Sequence, residues 1–338
     1  MNKNEVAELK KRLTKNHCTF TKMCGCYVDS DKNRIVDINE TFLILDEDEF
    51  HKYLDIAKKT LSGTLGNNLL NLDYELSEEE PGGKQQFLMA LRESKLKNTD
   101  LLERFYELII DTYDQPGNYL ILIFHDAYDV IKKTTDNDEL DESEEVYEYL
   151  LCAVCPVILS KPALGYREDK HRIGSRIRDW IVGAPESGFL FPAFNDRSTD
   201  IHSLLFYTKD TKEPHIEFME DILGCDAKPT ATIERQNFDN IIQSGLGAQT
   251  SDNELMYMDI QLGLNDMITE QVEVFETDSD NYIFDDVQLD TLMKDCNVPE
   301  ESADKIKDAY KEVFEKDAPV AAHLIDQRSI KNTAAKKE

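Results

Sequence analysis

The sequence predicts an α/β or α+β protein, with a mixed β-sheet core, flanking helices and a helical C-terminal region. Three observations predict it. Asn118 to His125 is apolar at successive positions, the pattern of a strand covered on both faces. Val146 to Leu159 is a second long run, rich in β-branched and aromatic residues, and its Pro156 argues against helix. From Glu213 onward the apolar spacing turns to the helical period.

Each element follows from local chemistry. Val6, Leu9 and Leu13 lie on one face of a first helix, Glu5 to Leu13. Cys18 to Val28 reads as a strand, residues 29–33 as a turn, and Arg34 to Leu45 as one or two further strand pieces. Asp46 with Glu49 three residues on has the pattern of a capping box opening a helix to about Leu61, with Gly63 and Gly66 at its end. Asn67 to Tyr74 is strand-like and Pro81-Gly82-Gly83 a loop. Helices follow over Lys84 to Lys95 and Asp100 to Tyr113, the second capped by Thr99. Arg178 to Gly183 and Phe189 to Phe194 flank Ala184-Pro185-Glu186-Ser187-Gly188 and predict a hairpin. Ile201 to Thr208 is the next strand. Helices are expected over Glu213 to Leu223, Arg235 to Leu246, Asn253 to Glu270, Asp286 to Asp295 and Pro299 to Glu315, the last two as an αα-hairpin. Residues 1–225 read as the core domain, 226–318 as the helical region, and 319–338, small and polar, as a disordered tail.

Composition limits the function classes. The net charge of -30 disfavours non-specific attachment to DNA or to an anionic membrane. The longest apolar runs, Tyr119 to Phe124 and Tyr149 to Cys155, are far shorter than a membrane span. The first residues, Met1-Asn2-Lys3-Asn4-Glu5, lead into no apolar stretch, so the expectation is a cytoplasmic protein without a signal peptide. Seven cysteines, an odd number, are expected to be free thiols.

Several segments carry a resemblance: Cys24-Gly25-Cys26-Tyr27-Val28, Leu61-Ser62-Gly63-Thr64-Leu65-Gly66, and Gly117-Asn118-Tyr119-Leu120-Ile121-Leu122. Leu151-Cys152-Ala153-Val154-Cys155-Pro156-Val157 and Phe189-Leu190-Phe191-Pro192-Ala193-Phe194-Asn195-Asp196-Arg197-Ser198 belong with them. Over roughly residues 1–225 the chain resembles a family of uncharacterised cytosolic proteins of Gram-positive anaerobes, known only as a domain of unknown function. The resemblance implies no activity.

Four constellations could carry chemistry. Lys161, Arg167, Lys170, Arg172, Arg176 and Arg178 stand against only Glu168 and Asp169, a local positive excess in an acidic chain. Arginine captures phosphate or carboxylate in two-pronged fashion, a strand would set Arg176 and Arg178 on one face, and Tyr166 and Trp180 could stack on a base. The plain structural alternative is that these cations neutralise acidic segments of the same chain, such as Asp136 to Glu148. Second, Asp196, Asp200 and His202 follow the Phe189 to Phe194 strand and could act as acid, base or metal ligands, with Arg197 steadying an anion. The same residue types serve any turn. Third, His125-Asp126 ends the most apolar strand, without a nucleophile motif beside it. Fourth, Cys24, Cys26, Cys152 and Cys155 could make a four-thiolate zinc site, but residues three apart on a strand face opposite ways.

The sequence therefore predicts a non-enzymatic binding protein, with no cofactor and no metal. Its anion-binding set is Lys161, Arg167, Arg172, Arg176, Arg178 and Arg197. The expected partner is a nucleic acid, a ribosomal surface or a phosphate-bearing ligand, with a protein partner as a further option and no membrane. The alternative is a hydrolase or nuclease using Asp196, Asp200 and His202.

Overall fold

The computed structural model describes residues 1–130, 145–248, 250–275 and 282–326. It separates into two units, Met1–Lys228 and Pro229–Glu338.

The first unit opens with α1 (Lys3–Arg12), closed by a capping box between Asn2 and Glu5 and ending in Lys10, Lys11 and Arg12, which suit the negative end of the helix dipole. Strands β1 (Lys22–Val28) and β2 (Arg34–Glu40) form a hairpin. The Asp29 carboxylate turns the chain by accepting the backbone N–H groups of Asp31 and Asn33, each at 2.9 Å. Phe42–Ile44 is a 3-10 turn where a second strand piece is expected. Helix α2 (Glu47–Thr60) begins where predicted, but the Asp46 side chain makes no cap hydrogen bond. Strand β3 (Leu69–Asp73) and helices α3 (Lys84–Glu93) and α4 (Thr99–Thr112) follow. Asn98, not Thr99, caps α4, its Oδ1 accepting the N–H groups of Asp100 and Leu101.

The long strands β4 (Asn118–Val130) and β5 (Glu145–Leu159) pair from Asn118 opposite Val157 to Val130 opposite Glu145. Then come β6 (Leu164–Arg167), β7 (Arg172–Ser175), β8 (Trp180–Val182), β9 (Ser187–Phe191), β10 (Ala193–Asn195), β11 (Ser198–Asp200) and β12 (Ser203–Thr208). The main sheet has the order β2-β1-β4-β5-β9-β12-β3, with β8 added on β5. Every pairing between these strands is antiparallel rather than mixed, so of the two expected classes the fold is α+β.

Alternation along β4 explains the layering. Tyr119, Ile121 and Ile123 face a core completed by Leu88, Leu91, Leu102, Phe105 and Ile109 of α3 and α4. Leu120, Leu122 and Phe124 face the opposite core, with Val6 and Leu9 of α1 and Phe50, Leu54 and Ala57 of α2. Burial on both faces is what the unbroken apolar run requires.

The predicted hairpin around Pro185 is not one. Both β8 and β9 lie antiparallel to β5, at Val157–Leu159 and Leu150–Val154. Gly183 and Glu186 continue the ladder by donating to the carbonyls of Pro156 (2.8 Å) and Val154 (2.9 Å). The chain thus runs on past Ala184-Pro185, which bulge out between two collinear strands. The helix expected over Glu213 to Leu223 is shorter, with a π-helical turn at Phe218–Ile222 that buries Phe218, Met219 and Ile222.

The second unit contains α5 (Ala231–Leu246), α6 (Ser251–Phe275), α7 (Asp286–Asp295) and α8 (Glu300–Val313). Its core joins Phe238, Ile242, Ile260, Leu264, Leu292 and Ile306. Residues 319–326, expected in the disordered tail, pack into it. The Pro319 carbonyl accepts the Phe284 N–H at 2.8 Å, and Ala321 and Leu324 are buried. Residues 327–338 lie outside the described residues.

Candidate functional site

The basic island forms an arm. Beyond β5 the chain leaves the sheet at Ser160, and β6 and β7 pair as an isolated two-stranded ribbon. Its base is pinned by Arg178, whose Nε donates to the Ser160 carbonyl at 2.6 Å, and by Asp179, whose N–H donates to Ser160 Oγ at 3.0 Å. The ribbon turns through a 3-10 segment, Glu168–Lys170, and His171 in the left-handed region.

No residue from Lys161 to Val182 is buried. Arg167 pairs with Asp169 at 3.0 Å and Arg176 with Asp179 at 3.6 Å. The side chains of Lys161, Lys170 and Arg172 make no hydrogen bond or ion pair among the described residues. The expectation that Arg176 and Arg178 share one strand face is not met. Residues 176–179 belong to no strand, and Arg178 turns back to the Ser160 and Leu159 carbonyls. Tyr166 and Trp180, the expected stacking rings, are 60% and 57% exposed.

Strand length bears on the neutralisation alternative. Glu148 sits near the opposite end of β5 from Leu159, eleven residues away, which is about 36 Å of strand. Its carboxylate is engaged there with His125 Nε2 at 2.7 Å. Asp136 to Glu144 of the acidic segment lie outside the described residues.

Arg197 is not part of the arm. It stands with Asp196 at the two-residue tip of the β10–β11 hairpin, where both residues have positive φ, 49° for Asp196 and 56° for Arg197, as a type I′ turn requires. Arg197 reaches Glu8 of α1 at 2.6 Å. The three residues of the predicted catalytic set are close in sequence, but their side chains take different side-chain partners. The Asp200 carboxylate accepts from Asn195 Nδ2 (2.6 Å), Ser203 Oγ (2.7 Å) and the His202 N–H (3.0 Å). Burial opposes its ionisation, yet these hydrogen bonds outweigh burial and hold it below the ordinary carboxylate range. The exposed His202 ring turns to Glu79 at 2.8 Å, whose hydrogen bond raises the imidazole pKa. Asp196 remains exposed at the hairpin tip.

His125 and Asp126 are buried and locally satisfied. His125 lies between Thr21 Oγ1 and Glu148, each at 2.7 Å. Asp126 accepts from Thr19 Oγ1 and the Tyr149 hydroxyl, also at 2.7 Å each. Thr19 in turn accepts from Arg12, whose guanidinium lies 3.6 Å from the centre of the Tyr128 ring. Arg12 and Tyr128 line a cavity of about 810 Å³ together with Lys11, His17, Asp129 and Arg197. Sequence reasoning missed this cavity. Its one signal is the Lys10-Lys11-Arg12 run, which reads equally well as a helix end.

Cys152 and Cys155 face opposite cores, Cys152 beside Cys24 and Cys26. Burial raises these thiols, Cys24 to about 11 and Cys26 to about 12, which keeps them protonated. Among the described residues no group of three or more His, Cys, Asp or Glu is arranged to hold a metal, and no helix is long and apolar enough to cross a membrane.

No curated protein matches the chain. A family model does, over residues 1–337, and so includes the helical unit as well as the roughly 225 residues of the resemblance. On that match the chain belongs to the family described as Domain of unknown function (DUF4317).

Proposed function

We propose that this is a cytosolic, non-enzymatic binding protein that engages an anionic partner through the arm of residues 161–178. The partner class is a nucleic acid, a ribosomal surface or another phosphate-bearing ligand. As the resemblance implies, its setting is the cytoplasm of a Gram-positive anaerobe. One observation carries the reading. In a chain of net charge -30, a projecting ribbon holds six cations of which none is buried, and the side chains of three have no partner among the described residues. Uncommitted arginine and lysine beside exposed Tyr166 and Trp180 combine backbone neutralisation with stacking.

A hydrolase or nuclease built on Asp196, Asp200 and His202 would need a carboxylate and an imidazole aimed at a common point. The separate engagement of Asp200 and His202 favours the binding reading over this one.

The test is fluorescence anisotropy of a labelled single-stranded RNA against the whole chain, over a range of salt. Binding that weakens steeply with salt is expected, and Lys170→Glu/Arg172→Glu/Arg176→Glu should weaken it by at least about tenfold. Arg178 is left in place because it anchors the arm. Undiminished binding by a folded triple variant would remove the arm from the function.

A further inference from the structure

A strand points successive side chains to opposite sides, so a free two-stranded ribbon has two faces that can differ in composition. In the arm, Leu164 lies opposite Ser175, Gly165 opposite Gly174, Tyr166 opposite Ile173 and Arg167 opposite Arg172. The Arg176 N–H donates to the Ala163 carbonyl at 2.8 Å and carries the pairing one step further. One face therefore holds Ala163, Gly165, Arg167, Arg172, Gly174 and Arg176. The other holds Leu164, Tyr166, Ile173 and Ser175, and its three large side chains are all exposed.

The two glycines lie beneath the three arginines. A Cβ on Gly165 would stand 3.7 Å from Arg176 Cβ, and one on Gly174 would stand 3.8 Å from Arg167 Cγ and 3.9 Å from Arg172 Cζ. The arginine side chains thus gather over bare backbone, which lets a ligand approach the ribbon closely. Asp169 holds Arg167 at 3.0 Å and Asp179 holds Arg176 at 3.6 Å, while the Arg172 side chain has no partner among the described residues. Both acids are exposed, and surface pairs of this kind are weak enough for an anion to displace. Like charges directly opposite each other, as Arg167 and Arg172 are, weaken strand pairing. An anion between them relieves that repulsion and gains two charged donors.

We propose that this one face, with Arg167, Arg172 and Arg176 over Gly165 and Gly174, is where the phosphodiester backbone of a nucleic acid lies. The inference rests on the binding role proposed above and assigns it to one side of the ribbon. That face carries no large apolar side chain, and this selects the ligand. A protein partner is met through an apolar core, whereas nucleic-acid interfaces are polar and rich in positive charge. Arginine takes phosphate in two-pronged fashion. Phosphate contacts position a nucleic acid without reading its sequence, so affinity should depend little on base order. Tyr166, on the other face, adds stacking without forming this contact.

The test separates shape from charge. Gly165→Val/Gly174→Val keeps every cation, favours strand, and fills the space beneath the guanidinium groups. Fluorescence anisotropy of labelled single-stranded RNA on the full chain should show binding weakened at least about tenfold, the loss of one charge-assisted hydrogen bond. Leu164→Ser/Ile173→Thr on the other face should leave it unchanged. Amide NMR signals of residues 164–175 report whether the ribbon keeps its pairing. Parent-like binding by a valine variant with an intact ribbon overturns the proposal, and so does an equal loss from Leu164→Ser/Ile173→Thr. If the valine variant loses the ribbon, Arg172→Lys decides. It keeps the charge but not the two-pronged contact, so a several-fold loss is expected and unchanged affinity overturns the proposal. Polyglutamate that displaces the RNA as well as unlabelled RNA of equal charge does assigns the face to an acidic protein and overturns the choice of nucleic acid. Lys170→Glu/Arg172→Glu/Arg176→Glu, measured beside these, keeps the two claims apart. If it alone weakens binding, the arm binds but not through this face; if it binds like the parent, the binding role itself falls.

Discussion

Asp200 shows how a residue with catalytic credentials can be occupied by structure. Its carboxylate closes the β10–β11 hairpin onto the start of β12 by accepting from Asn195, Ser203 and the His202 backbone. Because its folded pKa is depressed, its contribution to stability is fully present above the unfolded value of about 4 and is lost as pH falls through the lower folded value. Asp200→Asn should therefore melt below the parent protein at neutral pH, and the gap should close as the solution is acidified below about pH 4. Thermal melts at a series of pH values measure this, and a gap constant across that range would mean the carboxylate charge is not what the hairpin uses. Asp126 differs in being buried, yet it too is spoken for, by Thr19 and Tyr149. Buried polar groups left unpaired are costly, which is why such residues so often turn out to be satisfied rather than reactive.

At the scale of elements, the close fit of α2 on the sheet depends on Gly188 in β9. A Cβ there would stand 2.3 Å from the Cys152 carbonyl oxygen and 2.6 Å from Thr60 Cγ2, so backbone of β5 or the last turn of α2 must give way. Gly188→Ala should destabilise the first unit by about 1–3 kcal/mol, the range for overpacking a filled core. The urea midpoint, with the slope unchanged, is the reading to take, and an unaltered midpoint would show that this contact relaxes freely. The same crowding accounts for a glycine within a strand whose neighbours are Phe189 and Leu190. The arm is the contrasting case. A two-stranded ribbon with no covered face is marginal alone, so its order depends on the Arg178 anchor and on what it meets.

For the whole molecule, the chain divides at Lys228/Pro229 into units with separate cores. The first is built from two apolar layers on either side of one sheet, and every strand of that sheet lies before Lys228. A fragment of residues 1–228 should therefore fold cooperatively, with a sharp denaturant transition and dispersed amide NMR signals. Collapsed signals or a broad transition would mean that the first unit needs the second. The fragment also retains the whole arm, so under the proposed binding role it should bind single-stranded RNA with the same salt dependence as the full chain.

The sequence by itself determined the elements whose signals are local. The central β4 strand, the α1 and α2 positions, and the Asp286–Asp295 helix all follow from apolar period and end residues. The basic island was legible as an excess of charge, and the opposite facing of Cys152 and Cys155 as a consequence of strand alternation. Only the tertiary structure decided what depends on residues far apart in the chain. It made β8 and β9 collinear partners of β5 where proline and glycine suggested a hairpin, because the ladder on β5 was there to be continued. It split the predicted anion-binding set, sending Arg197 to Glu8 and leaving the other five on the arm. It placed that arm at the far end of β5 from Glu148, a separation no charge count contains. Local propensity fixes which way a segment folds, whereas pairing and ion partners are set by the sheet that brings distant segments together.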